Sequence, residues 1–465
     1  MKYKADNKFK TISRIMTAIL LVAIVLLGAV TPVFADPPGA NKGNYEVIVT
    51  PPEVDGAPYI YLYNFENDKV LYEKGDQHQS LYPTSTVKMM TGLVAIEALG
   101  EDRHKTITVT DVMLERTSDN VRFSPGETVD AEQLLYATLV GSSNNAAVIL
   151  AHMVAGSKED FVTMMNDKAY ELGMLGTVYG EPTGLHSEGS FTTVADTAIL
   201  AKYAYENPYF MEIVSTGTYA MAATNMSAER KIHNTNYLVS RYYRGDYYYD
   251  RALGMNAGST VQGGYTSVSV ARSADGNLTY LCIIMGAERI DGEDGSVPDF
   301  VNFSGAVTML DWAMSAYGYC DILKAGAILC EVPVGLSSTA DYVTLVPADP
   351  VSVYLPTEVD PERHIRIISA TDENITAPIT KGQSLGYAKV VYNGQEIGRT
   401  ELIATSDIDR SEFLFALERI SNFTKSKFFI ATVVSALVLS VVYILIQARV
   451  RQKRLRSRVP RYYRR

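Results

Sequence analysis

The stretch Pro83-Thr84-Ser85-Thr86-Val87-Lys88-Met89-Met90-Thr91 opens a helical pattern in a chain that has until then alternated. Val87, Met90, Leu93, Val94, Ala98 and Leu99 recur at spacings of three and four, which predicts a helix over residues 84–99 with one apolar stripe. Ser85 and Lys88 then lie one turn apart on one face, near the helix start. A serine hydroxyl becomes a nucleophile when a neighbouring base takes its proton, and a lysine serves as that base when burial or nearby cations depress its pKa. The helix N-terminus adds unpaired N–H groups and a positive dipole end, suited to a developing oxyanion. Alone, the pair also fits an N-cap serine followed by a surface lysine, so its meaning depends on the rest of the chain.

Upstream, Tyr59 to Asn64 alternates as a strand, and Val70 to Tyr72 pairs back after a turn at Glu66-Asn67-Asp68. Downstream, helical character returns in Ala131 to Leu139, Ala146 to Val154 and Phe161 to Leu172. After Asn256 the texture is strand-like: Thr266 to Arg272 and Leu278 to Met285 form a hairpin around Ala274-Asp275-Gly276-Asn277, and a helix follows from Val301 to Met314. Strand, long helical insert and returning strands describe an α/β body of the α+β kind, with helices segregated from a mostly antiparallel sheet. From about Glu331 to Ala404 the segments shorten to Tyr342–Val346, Val351–Tyr354, Ile365–Ser369 and Ala388–Tyr392, the pattern of a small all-β domain. The expected divisions are thus 45–330 and 331–405, with a polar linker over 406–427.

The two ends read as membrane-related. Residues 1–35 carry Lys2, Lys4, Lys8, Lys10 and Arg14, an apolar run from Ile15 to Val30, and Val33-Phe34-Ala35. This is a signal peptide cleaved after Ala35, with an uncleaved N-terminal anchor as the alternative; either reading exports the chain. Residues 428–446 hold no charge and are long enough to span a bilayer as a helix, and 447–465 hold nine Lys or Arg and no acid. A cell-membrane protein of single-pass topology follows, its body outside and its C-terminal tail in the cytoplasm. Subtracting both ends from the formal charge of -10 leaves the body at about -23, which argues against a nucleic-acid partner. Cys282, Cys320 and Cys330 are too few for a disulfide scaffold, and Cys282 sits in an apolar run as a core residue would.

A second polar cluster, Gly141-Ser142-Ser143-Asn144-Asn145-Ala146-Ala147, lies between two helical segments, where it reads equally as a helix cap. With Glu181-Pro182-Thr183-Gly184-Leu185, residues 192–201 and Asn234-Thr235-Asn236-Tyr237-Leu238, these landmarks fall in a specific order. In that order and spacing the chain resembles the low-molecular-mass penicillin-binding proteins, the serine-type D-alanyl-D-alanine carboxypeptidase family (peptidase S11), over about residues 45–330. Residues 331–405 are similar to that family's second domain. The resemblance implies a β-lactamase/DD-peptidase-like transpeptidase domain that removes terminal D-Ala from peptidoglycan stem peptides through an acyl-enzyme, binds β-lactams, and uses no metal or cofactor. It assigns Ser85 as acylated nucleophile, Lys88 as general base, Ser142 as proton relay and Asn144 as ligand of the substrate amide.

The third family motif, Lys-Thr-Gly on a strand edge, departs from the pattern. Here the frame reads Gly254-Met255-Asn256-Ala257-Gly258-Ser259-Thr260, so Asn256 and Ala257 stand where the family has Lys and Thr. The resemblance places Asn256, Gly258 and Ser259 at substrate-binding positions, with the backbone N–H groups of Ser85 and Ser259 as an oxyanion hole. Asn256 brings no cation to a terminal carboxylate and Ala257 no hydroxyl. Arg241, Arg244 and Arg251 are candidate substitutes, each equally a surface arginine. His152 reads as helix packing and His233 as a residue that borders the cleft or packs beside it. Tyr242-Tyr243 and Tyr247-Tyr248-Tyr249 read as a glycan-facing groove or as loop packing. Two functions stay open at this point: an active carboxypeptidase, and an inactive relative that binds peptidoglycan as a scaffold. A secreted β-lactamase shares the Ser/Lys logic but lacks the added β-domain and the C-terminal anchor.

Overall fold

The computed structural model describes residues 47–115, 119–291 and 298–456. The leader expected over residues 1–35 and the end of the basic tail lie outside the described residues.

The helix foreseen at residues 84–99 is a short 3-10 turn, Thr84–Thr86, followed by α1, Val87–Leu99. Every residue from Val87 to Ile96 is buried, while Ala98, placed on the apolar stripe by the sequence, is exposed. The stripe is absent because α1 is central rather than peripheral. It touches α2 (Ala131–Leu139), α3 (Asn144–Ala155), α4 (Lys158–Glu171), α5 (Val194–Tyr205) and α6 (Pro208–Val214), which surround it. A helix enclosed in this way has no solvent-facing side over Val87–Ile96 on which a polar stripe could form. Lys88 is thereby carried into the interior.

Behind this helical layer is a five-stranded antiparallel sheet in the order β2-β1-β5-β4-β3, from β1 (Tyr59–Asn64), β2 (Lys69–Lys74), β3 (Ala252–Thr260), β4 (Gly264–Arg272) and β5 (Thr279–Ala287). Successive side chains on β1 and β5 enter opposite cores. Tyr61, Tyr63, Leu281, Ile283 and Met285 pack with the helical layer, and Ile60, Leu62, Tyr280, Cys282 and Ile284 pack with α7 (Val301–Ala316). Period-two geometry with both faces covered explains the unbroken apolar run Tyr280 to Met285. Cys282 is fully buried, and burial pushes its thiol up to about 12.

The strand with the altered motif, β3, was the least visible in the sequence. Its two glycines, two alanines and Asn256 are poor strand formers, and its pairing with β4 from Ala252 to Thr260 supplies what propensity does not. β3 is an edge strand, so one side of its backbone is open. A register shift between Ala252 and Gly254 begins it, where Gly254 at φ +106° leaves room for Val214 O at the end of α6.

The following all-β unit pairs β6 (Tyr317–Leu323) with β9 (Val351–Pro356). A second five-stranded sheet in the order β7-β8-β12-β11-β10 comprises Cys330–Pro333, Tyr342–Pro347, Gln395–Ala404, Ser384–Tyr392 and Ile365–Thr371. It has its own core, with Val343, Leu345, Ala388, Val390 and Leu402 buried. Then α8, Glu412–Lys425, exposes Phe413, Leu417, Ile420 and Phe423 along one side, and α9, Lys427–Arg456, contains a segment, Lys427–Arg451, long and apolar enough to cross a membrane.

The start of α2 is held by a capping box in which Asp130 accepts from Gln133 N at 2.8 Å and Gln133 Oε1 accepts from Asp130 N at 3.2 Å. Asp130→Ala is expected to cost about 1 kcal/mol and to lower the melting temperature by about 2–4 °C, measurable by calorimetry.

Candidate active site

A cleft of about 270 Å³ opens between the helical layer and the β3 edge. Ser85, Lys88, Ser142 and Asn144 line it from the helical side, and Ala257, Gly258, Ser259 and Thr260 from β3. Thr183, Gly184 and Thr235 also line it, as do Tyr237, Tyr265, Phe300 and Phe303, with Tyr237 stacked on Phe303 at 4.7 Å. The sequence-derived residues therefore converge, with one exception: Asn256 is buried beside the cleft and does not line it.

Ser85 is presented by an unusual backbone. Thr84, immediately before it, adopts φ +51°, costly for a β-branched residue, and Ser142 across the cleft adopts φ +52°. Thr84 is held by the Glu181–Leu185 segment: Gly184, at φ +80°, lies so near that a Cβ there would meet Thr84 O at 2.1 Å. A Cβ on Gly258 would likewise stand 2.1 Å from Ser85 Oγ. Only glycine lets the β3 backbone approach the hydroxyl this closely.

Lys88 Nζ donates to Asn144 Oδ1 at 2.9 Å and to the Thr183 carbonyl. Its side chain is 3% exposed, and burial lowers its pKa to about 8 against the opposing pull of Glu181 and Asp119. A neutral amine has two N–H bonds for these two acceptors and keeps one lone pair to receive a proton. Glu181 is itself held above the usual carboxylate range by burial, partly offset by bonds from Thr183 N and Thr183 Oγ1. The polar cluster at residues 142–145 is both cap and site. Ser143 caps α3 through Ala146 N at 3.0 Å and donates to Asp119 Oδ2, while Ser142 and Asn144 face the cleft. Asn234 fixes the opposite wall by donating to Val214 O and Thr216 O, both at 3.0 Å, which sets Thr235 at the cleft.

The cation candidates are elsewhere. Arg241 lies over Tyr248, Arg244 pairs with Asp246 at 2.7 Å, and Arg251 pairs with Asp311 at 3.4 Å; none lines the cleft. His152 bonds Gly156 O at its helix end, and His233 stacks on Tyr242 with its Nδ1 beside Thr218 Oγ1. Of the tyrosine-rich region, Tyr237 reaches the cleft, whereas Tyr247 and Tyr249 are tied to Asp299 and Asp311. The sequence reading missed the Thr183 carbonyl, a backbone acceptor without a side-chain signal, and the aromatic wall of Tyr265, Phe300 and Phe303, which only the pairing of β3 with β4 and the start of α7 bring to the site.

The family model described as D-alanyl-D-alanine carboxypeptidase matches residues 46–289, more than half of the chain. The chain belongs to this family, peptidase S11. A second model, the penicillin-binding protein 5 C-terminal domain, matches residues 317–410 of this S11 protein. It is 28% identical over 413 residues to D-alanyl-D-alanine carboxypeptidase DacF of Bacillus subtilis (strain 168), covering 88% of this chain and 98% of that one. It is 27% identical over 399 residues to DacC of Escherichia coli (strain K12), covering 82% and 91%. Among solved structures it is similar to penicillin binding protein 5 from Haemophilus influenzae, with a TM-score of 0.54 at 23% identity over 78% of this chain and 100% of that one. The likeness to penicillin binding protein 6B from Escherichia coli has the same TM-score of 0.54 at 21% identity over 76% and 97%. At these identities the structures bear on the fold, a penicillin-binding-protein architecture with an all-β second domain.

Three outcomes test the geometry. Acylation of Ser85 by a fluorescent penicillin is expected to accelerate as pH rises through about 8, because Lys88 becomes a base on losing its proton. In Glu181→Gln the rising limb moves to lower pH, since a charge that favours the ammonium is gone. Gly258→Ala is expected to retain the fold by circular dichroism and lose about 100-fold in acylation rate, because the Ser85 hydroxyl is displaced.

Proposed function

We propose that this S11 protein is a serine-type D-alanyl-D-alanine carboxypeptidase whose substrates are peptidoglycan stem peptides and whose covalent inhibitors are β-lactams. The observation that carries this reading is a buried lysine of depressed pKa in one cleft with a serine held on a strained turn. Ser85 Oγ attacks the carbonyl of the penultimate D-Ala, and Lys88 takes its proton. Ser142 passes a proton to the departing amine of the terminal D-Ala, and Asn144, already bonded to Lys88, also receives the substrate amide. Backbone N–H groups of Ser85 and Ser259 hold the oxyanion. Water then releases the acyl group from Ser85 by the reverse proton path.

The expected division of the body into two units, 45–330 and 331–405, is part of the proposal; the separate core of the second unit and the two family-model matches support two units, and the second match and the pairing of β6 with β9 reach back to Tyr317. So is the topology: a leader at the N-terminus, α8 as a membrane-proximal helix, a single crossing within α9 and a cytoplasmic basic tail. It is supported by the apolar length of Lys427–Arg451 and by the nine basic residues of the tail. The scaffold reading draws on Asn256 and Ala257 in the third motif, and turnover separates the two. The full-length protein in detergent is expected to release D-Ala from a D-Ala-D-Ala-terminated pentapeptide, and Ser85→Ala to lose at least about 1,000-fold of that rate. No release by the parent protein favours the scaffold; release that survives in Ser85→Ala contradicts the assigned nucleophile.

A further inference from the structure

The charge distribution of the cleft bears on which acyl donors it takes. Among the described residues lining it, Lys88 is the single cation, and its Nζ is already committed to Asn144 and Thr183. The polar side chains toward the β3 edge are neutral, the hydroxyls of Thr235, Tyr237, Ser259, Thr260 and Tyr265. Asn256 stands two residues before Gly258 in regular register with β4, so it shares the strand face that abuts Ser85. It is 4% exposed, and its Oδ1 has no hydrogen-bond partner among the described residues. The side chain nearest in the strand to the nucleophile's contact point is thus neutral, buried and incompletely satisfied. Ala257 packs into the core that contains Phe303 and brings no donor. Arg241, Arg244 and Arg251 are held by other partners, and Arg289, in the adjoining groove beyond Thr260, pairs with Asp291 at 2.6 Å.

A free α-carboxylate loses water on entering such a cleft and needs a counter-charge to offset that loss, whereas a primary amide does not. Hydroxyl donors serve both, and among the described residues lining the cleft no uncommitted cation is present to make the charge-assisted bond that would favour the carboxylate. We propose that the cleft accepts acyl donors with a neutral C-terminus about as well as those ending in a free carboxylate, with position 256 as the specificity-determining residue. This rests on the carboxypeptidase reading and extends its substrate class to amide-terminated or further-extended peptides. The chemistry is unchanged: the acyl–nitrogen bond breaks, the Ser85 ester forms, and the leaving amine takes the proton, departing as D-alaninamide instead of D-alanine.

The test compares kcat/KM of the full-length protein in detergent for diacetyl-L-Lys-D-Ala-D-Ala and its C-terminal primary amide. In parallel, calorimetry measures the affinity of both peptides for Ser85→Ala. An acid-to-amide ratio at or below about three supports the proposal, as does an Asn256→Lys variant that raises this ratio at least tenfold. A larger preference of the parent protein for the free acid, in turnover or in binding, overturns it whether or not Asn256→Lys folds. Equal binding of both peptides without turnover sinks the carboxypeptidase reading alone and leaves the charge indifference standing. Neither binding nor turnover of either peptide contradicts both.

Discussion

The burial of one lysine organises this structure. An amine taken from water into a protein interior is costly while charged, and the cost is met here by two acceptors, Asn144 Oδ1 and the Thr183 carbonyl, and by lowering the pKa to about 8. Each requirement fixes a different part of the chain. Centring α1 among five helices supplies the burial, the capped start of α3 supplies Asn144, and the Glu181–Leu185 segment supplies the carbonyl while bracing the turn that carries Ser85. The sheet edge then closes the cleft through a glycine contact. Lys88 is where helical layer, loop and sheet meet.

Much of this arrangement was legible in the sequence. Tyr59–Asn64 and Ala131–Leu139 are strand and helix as the period predicted, because each packs against a core on a defined face. Ser85 and Lys88 were picked out by their spacing at a helix start, and Ser142 and Asn144 by a polar cluster read through the family resemblance; the structure brings all four to one cleft. The failures have a common cause. The apolar stripe assigned to residues 84–99 assumed one buried face, and tertiary burial of the whole helix removed it. Strand β3 was obscured by residues of low β-propensity that only its partner strand holds extended. The Thr183 carbonyl and the Tyr265–Phe300–Phe303 wall depend on long-range approach, which neither periodicity nor spacing encodes.

The third motif shows what the loss of a charge and of side-chain length changes at a site. Asn256 keeps the strand pairing and the close approach of Gly258 to Ser85, so the nucleophile is still framed. What changes is electrostatic. The cleft holds Ser85 and Lys88 together and, among the described residues, has no other cation along β3. Lys88 then has no second lysine beside it to depress its pKa, and burial carries that task alone, opposed by Glu181 and Asp119.

That dependence on burial is open to direct measurement. An NMR titration of isotope-labelled lysine side chains, with the Lys88 signal assigned by its loss in Lys88→Arg, reports the protonation of this amine. An inflection near 8 is expected. An inflection at the ordinary value of 10.5 would mean that burial does not depress this amine, that almost none of it is free base near pH 8, and that Lys88 is not the base this structure makes of it.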